Sequence, residues 1–161
     1  MEFRISKSFW QALGLGVLAG MRTASAPAIV SHILSHHHSK RLSKSPLRFM
    51  QNDNVAVALK IFAIGEVVGD KLPNTPNRIK PAGVTFRCLS GALAGASIYK
   101  ASGNNAITGA IIGSVVAFGS TFGSYFLRKD VVNRTKVFDP MIGAMEDVLV
   151  IGAGAVIVST A

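Results

Sequence analysis

With 49% apolar and only 16% charged side chains, this 161-residue chain is poorer in charge than an average soluble domain, which carries about 25%. Its mean hydropathy is +0.40, and it holds 16 glycines. The net charge of +9 sits mostly in short segments between apolar runs, without a nucleic-acid motif or an aromatic platform; this speaks against nucleic acid and for anionic lipid headgroups as the partner.

The first apolar stretch runs over 9–34, long enough to span, since a spanning helix needs about 20 residues. Arg4 and Lys7 before it, and Ala24-Ser25-Ala26 within it, imitate a secretory signal. Arg22 interrupts the apolar run and Pro27 follows the would-be cleavage site, so the stretch reads as a retained first helix. Thr23 to Pro27 should kink or break that helix, because proline removes a backbone donor. The segment 35–53 is polar and basic, with Lys40, Arg41, Lys44 and Arg48, and reads as an interfacial helix on lipid headgroups or as a solvated loop. His36-His37-His38 is too short for a tag, and His32 and His36 lack the acid or cysteine that would complete a metal site.

The second stretch, 55–69, has Asn52-Asp53-Asn54 as an N-cap and carries Lys60, whose stem should snorkel to the interface. A proline-fixed loop follows, from Asp70 through Pro73 and Pro76 to Arg78 and on to Pro81. The third stretch, 84–100, is rich in small residues and holds Cys88, the only cysteine, so no intrachain disulfide exists. The fourth, 106–127, ends at Arg128-Lys129. The fifth, 141–160, opens after Asp139-Pro140. Gly16/Gly20, Gly91/Gly95, Gly109/Gly113 and Gly119/Gly123 are small-residue faces for helix packing, and the fourth stretch is the expected surface of a homodimer.

The expectation is an all-α integral membrane bundle of about five transmembrane helices, with the first kinked or broken. Five crossings put ten basic residues on one side and five on the other, which assigns the N-terminus to the cytoplasm. A re-entrant hairpin over 9–34 would move the first basic loop to that side as well. A faint inverted repeat sets stretches one and two against four and five, with Thr23 on Thr121 and Glu66 on Glu146.

Arg22, Glu66, Asp70, Glu146 and Asp147 lie inside or at the ends of these apolar runs. An ionisable group in hydrocarbon costs roughly 2.5–3.5 kcal/mol even on the lenient insertion scale, so such groups face protein, a partner charge or water. Glu66 and Asp70 share a helix face at i, i+4, with Lys71 and Arg78 as compensating charges. Arg22 is the expected counter-charge of Glu66 or Glu146. Glu146 and Asp147 point about 100° apart, so one of them should face the core. No complete metal-ligand set, phosphate loop or Ser-His-Asp set is present; neither a cofactor nor an enzymatic activity is expected. A small-solute or ion path lined by Arg22, Glu66, Asp70 and Glu146 is the leading functional expectation. A structural membrane protein held by internal salt bridges, or a lipid-headgroup binder, is the alternative.

Gly20-Met21-Arg22-Thr23 with Pro27, and Glu66-x-x-x-Asp70-Lys71-x-Pro73-x-x-Pro76-x-Arg78, resemble a family of small bacterial and plant integral membrane proteins classed as a domain of unknown function. The likeness covers most of the chain. It implies a polytopic membrane domain and brings no activity with it; the expected location is the bacterial inner membrane. It makes Arg22, Glu66, Asp70, Lys71, Pro73, Pro76 and Arg78 the positions to test.

Overall fold

The computed structural model describes residues 7–69, 79–135 and 139–160. Among them are α1 (Lys7–Met21), α2 (Ser25–His36), the short α3 (Lys40–Ser43), a 3-10 segment (Pro46–Gln51), α4 (Asp53–Gly69), α5 (Pro81–Ala101), α6 (Ala106–Thr135) and α7 (Asp139–Ser159). No strand occurs among the described residues.

Local sequence sets several of these ends. The Asn52 side chain accepts the Asn54 amide at 2.9 Å before α4, and Asn105 accepts the Ile107 amide at 2.9 Å at the start of α6. Pro81, read from sequence as part of the preceding loop, is the first residue of α5, where its missing donor is harmless. The α5–α6 turn closes on Gly103 at φ +88°, with the Asn104 amide on the Tyr99 carbonyl at 2.8 Å and the Gly103 amide on that of Lys100 at 3.1 Å. That double bond with a left-handed residue is a Schellman stop, which favours glycine. α6 does not end at Arg128-Lys129. It continues to Thr135 with an Asp130–Arg134 pair at 2.8 Å, because a helix leaving an apolar layer keeps its own backbone bonds in water.

α5 and α6 form the tightest pair. A Cβ on Gly91 would collide with the Gly113 carbonyl, and one on Gly95 with that of Gly109; small residues here let the backbones touch. α1 lies along both helices, with Gly16 and Gly20 against α6. Gly119 and Gly123 have nothing over them. Gly109 and Gly113 are therefore used within the chain, and only the second glycine pair of α6 is open.

The first stretch is not one crossing helix. At the start of α1, the Asn104 side-chain amide donates to Ser8 Oγ at 2.9 Å. Beyond the end of α2, Ser39 Oγ donates to the Ala101 carbonyl at 2.9 Å, and Arg41 donates to that of Ser102 at 2.8 Å. Both ends of the α1–α2 pair thus lie at the α5–α6 turn. The chain between them reaches Ser90 of α5, Thr121 of α6 and Asp147 of α7, each near its helix's midpoint. α7 covers both limbs, with Gly14 beside Ile157 and Gly154 beside Ile29. The pair is a helical hairpin whose tip lies halfway down the bundle.

Two expectations change with it. Among the described residues, the hairpin end carries Lys7, Lys40, Arg41, Lys44, Arg48 and Lys100, and the far end Lys80, Arg128, Lys129 and Arg134, so the ten-to-five division read from five crossings falls to six against four. The inverted repeat also has no counterpart in the fold: α6 is one unbroken helix of 30 residues where the first stretch breaks and turns back.

Among the described residues, two helices are long and apolar enough to cross a membrane, Ala106–Val132 and Met141–Ser159. Their apolar windows are only 22% and 28% buried, unlike the core helices of a soluble protein. Ile111, Val115 and Phe126 of α6 and Met145, Val148 and Ile151 of α7 face outward, as do Ile61, Phe62 and Ile64 of α4. Large apolar side chains in that number outside the fold are a membrane-protein pattern.

Candidate functional site at the hairpin tip

The tip begins as a backbone problem. In a continuous helix, the Pro27 nitrogen would have to satisfy the Thr23 carbonyl, and it has no proton to give. α1 instead stops at Met21, and Pro27 falls in the first turn of α2, where it fits. The break exposes the Thr23 and Ala24 amides and the Gly20 and Thr23 carbonyls, and each finds a side-chain partner. Glu66 of α4 accepts the Thr23 amide on Oε1 at 2.8 Å and the Ala24 amide on Oε2 at 2.7 Å. Ser90 Oγ donates to the Thr23 carbonyl. Thr121 Oγ1, itself fully buried, lies 3.3 Å from the Gly20 carbonyl and 2.7 Å from that of Ala117.

Glu66 therefore clamps, from another helix, the two amides of the break that lead into α2. A carboxylate at a helix N-terminus also meets the positive end of the helix dipole, a favourable placement.

Arg22 and Asp147 complete the tip. Arg22 Nη2 stands 2.6 Å from Asp147 Oδ1, with the two side chains 3% and 9% exposed. Arg22 was expected to pair with Glu66 or Glu146 and pairs with neither in this way. Glu66 is engaged by the backbone, and Glu146 turns to Arg128 at 3.6 Å. Both adjacent acids of α7 are buried, on different faces. Lys60 Nζ sits 3.0 Å from His32 Nδ1 on α2, and His32 stacks edge-on with His36 at 4.4 Å. Arg87 is buried in α5. Asp70, Lys71, Pro73, Pro76 and Arg78 lie outside the described residues.

Of the four expected path residues, the structure brings Arg22 and Glu66 together at the tip. Glu146 instead lines a separate apolar cleft of about 660 Å³ between α1, α6 and α7, together with Val17, Met21, Gly119 and Gly123. Sequence reasoning missed Asp147 as the arginine's partner, and Ser90 and Thr121 as carbonyl donors. A hydroxyl beside a small-residue helix face was the one signal for those two.

A family model described as a domain of unknown function (DUF4126) matches residues 10–160. The chain belongs to this family. The DUF4126 match takes in the hairpin from Trp10 onward and α4 to α7, and with them every residue of the tip. No curated protein and no solved structure matches the chain.

Proposed function

We propose that this DUF4126 chain is an integral membrane protein in which α4 to α7 cross the bilayer and α1–α2 re-enters it, and that a small solute or ion passes by way of the hairpin tip. The observation that carries the reading is the break at Arg22–Ala24, set halfway along α5, α6 and α7 and ringed by charges from α1, α4 and α7. Irregular backbone at membrane depth is tolerated where it is buried in protein or lines a watery cavity. Transporters place broken helices at the midplane, with half-helix N-termini toward anionic groups. The donors here are the Thr23 and Ala24 amides at the break and the Arg22 guanidinium, so they favour an anionic visitor that displaces Glu66 or Asp147. The geometry described is then the closed state.

Liposomes carrying the purified protein test this, with chloride, nitrate, small carboxylates and protons as the solutes. Wild type should carry at least one of them, and Glu66→Gln should change its rate or pH dependence. Absence of flux for all of them, or identical flux in Glu66→Gln, contradicts the reading.

One observation favours a second reading, a structural or accessory membrane protein. The Arg22–Asp147 contact at 2.6 Å is that of a fastening ion pair. On this reading Glu66→Gln lowers the folded yield in detergent, and wild type carries no flux.

A further inference from the structure

We infer that the cleft between α1, α6 and α7 holds one acyl chain of an anionic phospholipid, with the lipid phosphate at Arg128. The inference requires the chain to lie in a bilayer and is independent of any transport.

The cleft has a volume of about 660 Å³, and its floor includes Gly119 and Gly123, over which there is open space. Its serine hydroxyls turn inward, Ser120 donating to the Val17 carbonyl at 2.8 Å and Ser124 to that of Thr121 at 3.2 Å. The wall therefore presents carbon, from Val17, Leu127, Met145 and Leu149. Water gains little there, whereas a hydrocarbon chain fills it.

The cleft runs from the level of the hairpin tip toward the far end of the bundle. Arg128, seven residues beyond Thr121, is about 10 Å farther out. Swung outward from Glu146, its long side chain covers the remaining distance to a headgroup about 15 Å from the midplane. The guanidinium lines the cleft, is 22% exposed and holds Glu146 at 3.6 Å. A phosphate competes well for such a group, because the planar donor fork matches its oxygens. Lys129 is exposed beside it.

The test offers the purified full chain equal amounts of phosphatidylglycerol and phosphatidylcholine in detergent and counts bound lipid by native mass spectrometry. Wild type should retain phosphatidylglycerol in at least fivefold excess. Gly119→Leu and Gly123→Leu, which enter open space, should lose it while keeping wild-type helicity by circular dichroism. Arg128→Gln should still bind lipid but lose the preference. Equal binding of the two lipids by wild type overturns the inference without recourse to any variant. So does full retention by both leucine variants, or a wild-type dimer that Gly123→Leu converts to monomer, which gives the cleft to a second copy. A wild type that stays soluble without detergent overturns the membrane placement itself.

Discussion

Arg22, just past the end of α1, and Asp147 on α7 meet at 2.6 Å midway through the bundle, sealed from solvent on both sides. The pair fixes the hairpin tip to a helix more than a hundred residues away in sequence. Removing one member of a buried ion pair costs about 3–5 kcal/mol in general. Asp147→Asn should therefore lower the unfolding temperature in detergent sharply. Arg22→Met combined with Asp147→Leu should recover much of the loss. An Asp147→Asn protein that melts with wild type would show that the pair does not hold the tip.

Glu66 faces two amides, and bonds to a charged acceptor contribute about 1.5–3 kcal/mol each. Glu66→Ala should destabilise more than Glu66→Gln, since the amide keeps one acceptor oxygen but turns its NH2 toward a donor. Equal melting of the two variants would mean that the charge, rather than the bonding geometry, carries the effect.

Ser90 and Thr121 serve carbonyls that the break leaves open. Hydrogen bonds of this kind within membranes average about 0.6 kcal/mol and reach about 1.7. Ser90→Ala and Thr121→Val should each give a small loss within that range by reversible denaturation. The double variant should be more sensitive to Glu66→Gln than wild type is, because all three residues support one short segment.

The glycines divide into two groups. Gly113→Ala places a methyl on the Gly91 carbonyl and should cost about 1–3 kcal/mol, as overpacking does. Gly119→Ala meets nothing and should stay within about 0.5 kcal/mol of wild type. Thermal melts of the two variants side by side check the contrast.

Much of the helix pattern was legible in the sequence, because apolar runs, caps and prolines act locally. The break near Pro27 was visible in that way. Its direction was not. Whether a broken helix continues or turns back depends on partners far along the chain, and neither Ser8 with Asn104 nor Ser39 with Ala101 leaves a periodic trace. The choice between Glu146 and Asp147 was hidden for a similar reason. Two adjacent acids point about 100° apart, and only the packing of α7 on α1 decides which one reaches Arg22. Periodicity also misled at the repeat, where Thr23 and Thr121 align as letters while one sits in a break and the other inside an unbroken helix.

The proposed re-entry of the α1–α2 hairpin carries the rest of the account, and cysteine accessibility tests it directly. In a Cys88→Ala background, Lys7→Cys and Lys44→Cys are treated in sealed, oriented vesicles with a membrane-impermeant maleimide, with Arg134→Cys as the marker of the far end. The hairpin requires Lys7→Cys and Lys44→Cys to react from the same side and Arg134→Cys from the other. Labelling of Lys7→Cys and Lys44→Cys from opposite sides would mean that the first stretch crosses the membrane, and would contradict the account.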